Sequence, residues 1–554
     1  MTAHADRPRG GRRADRARRP GGRLRAAPLV AWCGLIAAFD ASAQAPAPPV
    51  DYQYPTVPNA RPADNGPTNT GQRAFRLEPW VEVEGTLTSN ANFDRSSEKK
   101  SDFVITLTPG FRVSSDTAHT TLRGVVSVPM YLYARTGGDN DRAIPSVHLL
   151  GNADGWDKHV FVDSSIDTSR EFISPLGARP SSPVVNTNNE YLSQTYRISP
   201  GFRGDLGRDI RYEMRDNNIW TNASNTSTVS NGVLNSYVNE IVGSIVREPS
   251  PVGASIDFDR SSVRFTGQAP LVTQVARVRG QFEVDPQLRL TASAGYENND
   301  YGPLTRFKGS VYGVGARWRP TERTALDANW EHRFFGSAYN VAFDHRTPRT
   351  VWTLRASRDV STYPEQLANI TPGNVNTLLN SLLSSQFPDP VQRQAAIDLL
   401  IRTYGLPPNL TSPVNVYTQR ATLTTDLRAI AGLVGARNNV YFTVYRHRDE
   451  TLVGSGSDPF AFNHDEQRGV NVVWSTRLDP LATLTGILDV NRATGDSLSQ
   501  QGSTVNSSFS LVLTRPIGAY TDLHVGTRYQ LARSDFFTDR NEYAVFAGIL
   551  YRFY

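Results

Sequence analysis

The chain has 554 residues, of which 39% are hydrophobic and 10% aromatic, with a mean hydropathy of −0.41. This composition is too polar for a bundle of membrane-spanning helices, and no run of about 18 apolar residues that could form one occurs. It is compatible with strands that are apolar on one face only. The sole cysteine, Cys33, excludes a disulfide framework and a cysteine-ligated metal site.

Residues 1–43 have the composition of a secretory signal peptide. Nine arginines in residues 7–25 precede an apolar run at 26–39, and residues 41–43 are small enough for signal peptidase. Removing this segment lowers the formal net charge from +5 to about −1, so the pI of 9.2 is no evidence for nucleic-acid binding. A tryptophan directly before Cys33 makes a poor lipoprotein cleavage site.

Residues 44–75 are rich in proline and poor in apolar side chains, which predicts an extended periplasmic linker. From residue 76 to residue 554, segments with a hydrophobic period of two recur, separated alternately by tight turns and by longer polar loops. Several tight turns contain proline, as at Pro286, Pro320, Pro480 and Pro516. The sequence therefore predicts an all-β protein, a transmembrane antiparallel β-barrel of about 20–22 strands in the bacterial outer membrane.

The last twelve residues predict the strand that closes this barrel. Apolar side chains from Tyr543 to Phe553 occupy one face at a period of two, while Gly548 and Arg552 fall on the other face. The terminal aromatic residues resemble the signal by which bacterial barrels are handed to the barrel-assembly machinery, and we assign this role to Tyr551, Phe553 and Tyr554. The alternative is the terminal strand of a soluble β-sandwich, which would alternate in the same way.

Two features favour the barrel over the sandwich. Tryptophan and tyrosine recur at the predicted strand ends, as the interfacial girdles of a membrane barrel require. The opposite faces of the strands carry charges, which would be costly toward lipid and therefore indicate a wet lumen or a rim. The candidate lumen charges are Arg277, Arg279, Glu283, Asp522 and Arg528, and arginine pairs such as Arg446 and Arg448 are expected in the lumen or at a rim.

The segment 362–413 breaks the strand pattern and predicts a small αα-hairpin inserted between two barrel strands. Its second half begins with Asp389 as N-cap and Pro390 at the first helical position, and Gly405 closes it. Two placements remain open. A short strand near Tyr339–His345 would put the helices outside the cell, which we favour, whereas without that strand they would cross the lumen.

Short motifs recur in order through the predicted barrel. They are SDFVITLTPGF (101–111), ISPLG (173–177), YRISP (196–200), RTPR (346–349) with Trp352, QFPDP (386–390) with QRQAA (392–396), and GARN (435–438). In these stretches the chain resembles the outer-membrane proteins associated with the PEP-CTERM/exosortase system of bacteria that export exopolysaccharide. The resemblance implies a barrel linked to exopolysaccharide or sorted-protein export, and it supplies no catalytic residues.

The sequence offers little sign of catalysis. The clusters His464-Asp465-Glu466 and Asp139-Asn140-Asp141 are expected to be solvated polar loops, and no metal-binding or phosphate-binding motif occurs. We therefore expect no catalytic, cofactor-binding or metal-binding residues and a non-enzymatic export barrel. Its expected partners are outer-membrane lipid, the barrel-assembly machinery, and exopolysaccharide or its export components, and no nucleic acid is expected. A general diffusion porin and a loop-borne hydrolase remain as alternatives.

Overall fold

The structure, a computed structural model, describes residues 75–225, 233–302, 306–368, 379, 413–414, 417–452, 462–497 and 501–553. Its strands form one antiparallel sheet that closes on itself, because β1 (Phe75–Thr88) pairs with both β2 (Asp102–Asp116) and β24 (Arg540–Arg552). At the closing seam, Trp80 lies opposite Arg552 and Thr88 lies opposite Ala544. A closed sheet has no free edge, so all its backbone N–H and C=O groups can be paired within the membrane.

Twenty-one further strand segments and two short helices complete the described chain. The first half comprises β3 (Thr120–Ser127), β4 (Met130–Tyr133), α1 (Gly137–Asn140), β5 (Arg142–Ala143), β6 (Ser146–Gly155), β7 (Val160–Phe172), β8 (Glu190–Leu206), β9 (Ile210–Asn225), β10 (Ser236–Arg247), β11 (Val252–Phe265) and β12 (Leu271–Asp285). The second half comprises β13 (Leu288–Asp300), β14 (Arg306–Thr321), β15 (Thr324–Arg333), β16 (Gly336–Arg346), β17 (Thr350–Thr362), α2 (Tyr363–Ala368), β18 (Ala421–Val434), β19 (Asn438–Thr451), β20 (Phe462–Arg477), β21 (Thr483–Ser497), β22 (Gln501–Pro516) and β23 (Thr521–Ser534).

Two barrel strands are interrupted by proline. The segments β3 and β4 pair with successive stretches of β2, on either side of Pro129, and β5 and β6 pair with β4 and β3, on either side of Pro145. Proline has no backbone N–H to give to the ladder, so each strand breaks where it occurs. The 24 segments therefore make a closed barrel of 22 strands, which confirms the predicted antiparallel barrel and its strand number.

The short turns lie at the barrel end that carries the start of β1 and the end of β24. In one of them, Oδ1 of Asp285 accepts hydrogen bonds from the backbone N–H groups of Gln287 (2.7 Å) and Leu288 (2.8 Å). Asp479 accepts the same pair of bonds ahead of β21, and these N–H groups hold the pKa of Asp479 below its usual value. Since short turns are periplasmic in bacterial barrels, the opposite end faces the cell exterior.

The two faces of the barrel wall differ as the sequence predicts. On β24, Val545 and Ile549 are exposed whereas Glu542 and Ala544 are buried. Exposed aromatic side chains form two girdles on the outer face, a periplasmic one and an extracellular one. The periplasmic girdle includes Phe202, Phe282, Trp318, Trp352, Trp474, Tyr520, Tyr551 and Phe553, and the extracellular girdle includes Tyr196, Trp220, Tyr296, Trp330 and Tyr543. This apolar outer wall with aromatic girdles places the protein in the bacterial outer membrane.

Several strands extend beyond the residues in which apolar and polar side chains alternate. The polar stretches 454–467 and 492–506 contain the start of β20, the end of β21 and the start of β22. Beyond the membrane both faces of a strand are wet, so the hydrophobic period ends before the backbone pairing does. The expectation that His464-Asp465-Glu466 forms a solvated loop is therefore wrong, because these residues belong to β20.

The predicted short strand near Tyr339–His345 is confirmed as β16. It turns at Thr347, whose N–H donates to the carbonyl of Thr350 (2.8 Å), and β17 then runs to the end with the long connections. The insertion therefore leaves and re-enters the barrel at that end, between Thr362 and Ala421. Its short helix α2 is described, whereas the predicted second helix, with Asp389 and Pro390, lies outside the described residues.

The predicted signal peptide (1–43) and nearly all of the predicted linker (44–75) also lie outside the described residues. Within the part of the chain that is described, no helix is long and apolar enough to span a bilayer.

Candidate functional site

The connection between β7 and β8, residues 173–189, folds into the barrel and is called the inner loop below. Its Ser181 donates from N (2.7 Å) and Oγ (2.9 Å) to Oε1 of Gln530 on β23. Its Leu176 carbonyl accepts a hydrogen bond from Oγ1 of Thr504 on β22 (2.7 Å). In the sheet, β6, β3, β2, β1 and β24 separate β7 from β23, so these bonds show that the loop crosses the barrel interior.

A buried ionic cluster fixes the base of the inner loop. Glu190 is fully buried, with Oε1 2.8 Å from Nη1 of Arg142 and Oε2 3.1 Å from Nη1 of Arg170. The same guanidinium groups donate to loop carbonyls, Arg142 to Pro183 (2.8 Å) and Arg170 to Pro180 (3.1 Å). One carboxylate therefore orients two arginines that hold the backbone of the loop against the wall.

Apolar side chains explain why this loop turns inward. Val184 and Val185 are 4% and 0% exposed, and they join two separate apolar clusters that include residues of the barrel strands. Val184 packs with Val104, Tyr131, Tyr133, Ile144 and Leu192, and Val185 packs with Phe93, Ala178 and Ala532. Burial of such side chains stabilises each by about 1.5–3 kcal/mol relative to exposure, which favours a loop folded against the wall over a solvated one.

The first described end of the insertion is fixed at the extracellular mouth. In α2, Glu365 accepts hydrogen bonds from N (2.9 Å) and Oγ1 (2.8 Å) of Thr362, as in a capping box, and from Oγ of Ser261 on β11 (2.5 Å). Burial raises the pKa of Glu365, while the bonds from Ser261 and Thr362 oppose that rise. The helix is therefore held both by its own cap and by a strand across the mouth.

The second described end of the insertion packs on the first. The rings of Tyr363 and Tyr417 meet edge to face at 5.2 Å, and both are buried with Ile173 of the inner loop and Tyr191 of β8. Three residues before Tyr417, Val414 is held by Gln467 on β20. The Gln467 side chain accepts a hydrogen bond from the backbone N–H of Val414 (2.9 Å) and donates one to its carbonyl oxygen (2.7 Å). The inner loop and the insertion thus share one cluster and together narrow the extracellular mouth.

The candidate lumen charges on β12 point to the interior and have ionic partners on the wall. Arg277, 5% exposed, binds Glu331 on β15 (3.0 Å) across β13 and β14, and Arg279 lies 3.5 Å from Asp257. Gly313 makes room for the first of these pairs, since a Cβ there would lie 2.7 Å from the Glu331 side chain.

Of the remaining candidates, Glu283 lies near the periplasmic end, 3.8 Å from Arg289, and Asp522 forms an ion pair with Arg552. Arg528 donates to both carboxylate oxygens of Glu542, at 2.8 and 3.2 Å. Each of the five candidate lumen charges therefore has an ionic partner on the wall.

Arg528 also belongs to the contact between the closing seam and the inner loop. Glu542 is fully buried and accepts further hydrogen bonds from Thr88 on β1 (2.9 Å) and Gln530 (2.9 Å). Gln530 in turn binds Ser181 of the inner loop. This network ties β23, β24 and β1 to the loop.

The terminal aromatic residues lie where the sequence places them, on the outer face at the periplasmic rim. Tyr551 and Phe553 are 42% and 47% exposed, and their rings meet edge to face at 4.9 Å. The N–H of Phe553 donates to the carbonyl of Pro79 (2.9 Å), which extends the seam by one bond. Tyr554 lies outside the described residues.

In the described part of the chain, one group of side chains has the ligand atoms that could coordinate a divalent cation. Oxygen atoms of Glu82 and Glu84 and a ring nitrogen of His524 lie within 4.8 Å of one another on the inner wall. The same imidazole lies 3.0 Å from Oε2 of Glu84, so an ion pair accounts for the arrangement without a metal. The group was not predicted because its members come from opposite ends of the chain.

Sequence reasoning missed the inner loop and its anchor. The available signal was the apolar content of residues 173–189, with Ile173, Leu176, Val184 and Val185 in a segment between strands. A solvated loop seldom needs such residues. The pairing of Glu190 with Arg142 and Arg170 carried no signal, because it depends on which strands become neighbours.

No protein-family model matches the sequence, and no curated protein matches it. Among solved structures, the chain is similar to the FrpB iron transporter of Neisseria meningitidis, with a TM-score of 0.44 and 8% identity over 86% of this chain and 81% of that one. It is also similar to the siderophore receptor PirA of Acinetobacter baumannii, with a TM-score of 0.43 and 9% identity over 86% of this chain and 80% of that one. The outer membrane protein OpdK of Pseudomonas aeruginosa is similar with a TM-score of 0.29 and 9% identity over 86% of this chain and 99% of that one. Likeness at these identities and scores carries no information on cargo.

Proposed function

We propose that this outer-membrane barrel is a non-enzymatic conduit for exopolysaccharide export, with an extracellular mouth narrowed by the inner loop and the insertion. The resemblance to exosortase-associated barrels suggests the export role. The structural observation that supports it is the chemistry of the inner wall, where amides and hydroxyls are frequent and the candidate lumen charges have ionic partners. Such a wall suits an uncharged, hydroxyl-rich polymer better than it suits an ion.

The inner wall from β19 to β22 carries the side chains on which this proposal rests. They are mainly amides and hydroxyls: Asn439, Thr443, Asn471, Ser475, Thr485, Asn491 and Asn506. Oδ1 of Asn439, Oγ1 of Thr443 and Oδ1 of Asn506 have no hydrogen-bond partner among the described residues. Buried polar atoms normally find a partner, and an ordered water molecule can provide one at this polar wall.

A test compares polymer export in cells with and without the protein. Loss of the gene should reduce exopolysaccharide at the cell surface and leave polymer in the periplasm, and the wild-type gene should restore export. Double substitution of Asn439 and Asn506 by leucine should restore less export than wild type, because it makes the inner wall less polar. Unchanged surface polymer in the deletion strain would contradict the proposal.

A diffusion porin is the alternative that the fold itself favours, since barrels of 16–18 strands already enclose an aqueous channel. Reconstituted protein would then conduct ions, and Arg277→Gln, Arg279→Gln, Glu283→Gln or Arg528→Gln would shift its ion selectivity. For the export conduit we expect modest conductance that neutral oligosaccharides block. Large, charge-selective currents insensitive to sugar would favour the porin.

We further propose that the barrel-assembly machinery recognises the terminal strand. Tyr551 and Phe553 support this role because they are exposed on the outer face at the last strand, where the seam closes. Outer-membrane lipid is the other partner that the apolar outer wall requires.

A further inference from the structure

A row of arginines crosses the outer wall of the barrel near its extracellular end. In the register of the sheet, Arg446 on β19 lies directly opposite Arg468 on β20, which lies directly opposite Arg492 on β21. All three are exposed, and they share the outer face with Phe442 and Val470. We call these three residues the arginine row.

Like charges directly opposite each other destabilise a sheet, so the row requires a negative partner. Within the described residues, the protein supplies a negative partner for only two of the three arginines. Oε1 of Glu466 lies 3.0 Å from Nε of Arg446, and Glu466 also binds Arg468. Arg492 forms no ion pair within the described part of the chain. One carboxylate therefore serves a row of three guanidinium groups, which leaves positive charge on the outer wall.

The wall next to the row on its membrane side is apolar. One register step below, Ala429, Val444, Val470 and Val490 lie opposite one another in a line across four strands. A groove of about 500 Å³ runs along this line, and its lining includes all three members of the arginine row. The groove thus joins an apolar floor to a cationic edge.

An anionic lipid needs an apolar surface for its acyl chains and positive charge for its headgroup, and this part of the outer wall has both. Lipid-facing arginine costs about 2–4 kcal/mol at the bilayer midplane and little near the interface, so the row lies at headgroup level. Guanidinium groups bind phosphate oxygens bidentately, and basic clusters at a membrane surface bind anionic headgroups. An acyl chain in the groove would cover the valines while its headgroup met the arginines.

We propose that the groove and the arginine row bind a phosphorylated, multiply acylated glycolipid of the outer leaflet. The extracellular position of the row selects the outer leaflet. A polyanionic polymer in solution would engage the arginines but leave the valine floor exposed. The site faces away from the lumen, so this inference is independent of the proposed export function.

Native mass spectrometry of the protein purified from outer membranes tests the proposal. We expect the wild type to retain a phosphoglycolipid through detergent exchange, and we expect Arg446→Gln/Arg468→Gln/Arg492→Gln to lose it. With each arginine contributing about 1 kcal/mol to headgroup binding, the apparent affinity should fall on the order of 100-fold. The matched control is Arg264→Gln/Arg306→Gln/Lys308→Gln, which removes three exposed bases from β11 and β14.

A second variant keeps the test decisive if the triple variant assembles poorly. Glu466→Gln removes the carboxylate that binds both Arg446 and Arg468, so it should strengthen retention of the same lipid. Retention by the triple variant at the wild-type level would overturn the proposal. Equal loss in the control variant, weaker retention in Glu466→Gln, or a wild type that carries only phosphatidylglycerol would do the same.

Discussion

His524 and Glu84 form a contact across the strand that lies between them. Nε2 of His524, on β23, is 3.0 Å from Oε2 of Glu84, on β1, and both residues lie opposite Gly548 on β24. A Cβ at Gly548 would lie 2.5 Å from Cε1 of His524 and 3.0 Å from the carbonyl oxygen of Val83. The glycine therefore leaves the space through which the imidazole reaches the carboxylate at the closing seam.

Gly548→Ala should weaken this seam. The added methyl group must displace the His524 ring and press on the β1 backbone, and overpacking of this kind costs about 1–3 kcal/mol. Urea unfolding of the folded barrel in detergent, followed by tryptophan fluorescence, measures the change. Gly280→Ala is the matched control, because no atom lies within 4 Å of a Cβ built there. Equal loss of stability in both variants would contradict the prediction.

Glu190→Gln should release the inner loop. The variant leaves Arg142 and Arg170 buried with an uncharged partner, and loss of one member of a buried ionic cluster costs about 3–5 kcal/mol. We expect thermolysin to cleave the loop at Val184 or Val185, which are buried in the wild type, and channel conductance to increase. Asp116→Asn is the control, since the Asp116–Arg123 pair is exposed and contributes about 0–1 kcal/mol. A protease-resistant loop in Glu190→Gln would exclude the anchoring role.

Docking of α2 should weaken as the pH rises. Burial raises the pKa of Glu365 in the folded protein, so folding favours its protonated form. The stabilising contribution of that form is complete below the unfolded pKa of about 4.3 and is lost as the pH rises through the folded pKa. Hydrogen exchange of residues 363–368 should therefore accelerate over this range, and Glu365→Gln should remove the pH dependence. Exchange that slows with rising pH after correction for intrinsic rates would refute this account.

The alternation of side chains along each strand made the barrel predictable from sequence. Tyr543, Val545 and Ile549 face outward and Glu542 faces inward because a strand has a period of two and lipid accepts only one of its faces. Turn chemistry was equally local, since Asp285 binds N–H groups only two and three residues away. Features that depend on neighbouring residues in the chain were therefore predicted well.

Features that depend on register were not predictable in this way. Arg446 and Arg468 lie opposite one another only because β19 and β20 pair with a particular register. From the sequence alone, Arg446 was expected either in the lumen or at a rim. The structure places it on the outer wall near the extracellular rim. The inner loop was missed for the same reason, since Ser181 meets Gln530 only after the barrel closes.

Deletion of Phe553 and Tyr554 should impair assembly more than deletion of a long loop. The last described residue, Phe553, gives the seam its hydrogen bond to Pro79 and places an exposed aromatic ring beside Tyr551 at the periplasmic rim. One hydrogen bond contributes only about 0.5–1.5 kcal/mol, so a stability defect alone would be small. A large loss of assembled barrel would therefore point to recognition of the terminal aromatic residues.

The control for this deletion must leave the strands intact. A loop deletion extending to Asp465 would cut into β20, where Asp465 is 1% exposed on the inner wall, so the control is limited to residues 454–460. The yield of heat-modifiable barrel in outer membranes measures assembly, and refolding of both variants in detergent measures intrinsic stability. A terminal deletion that refolds normally in detergent but fails to assemble in cells supports recognition by the assembly machinery. Equal yields of the two variants in cells would refute it, because the paired residues of β1 and β24 at the closing seam remain in the loop deletion.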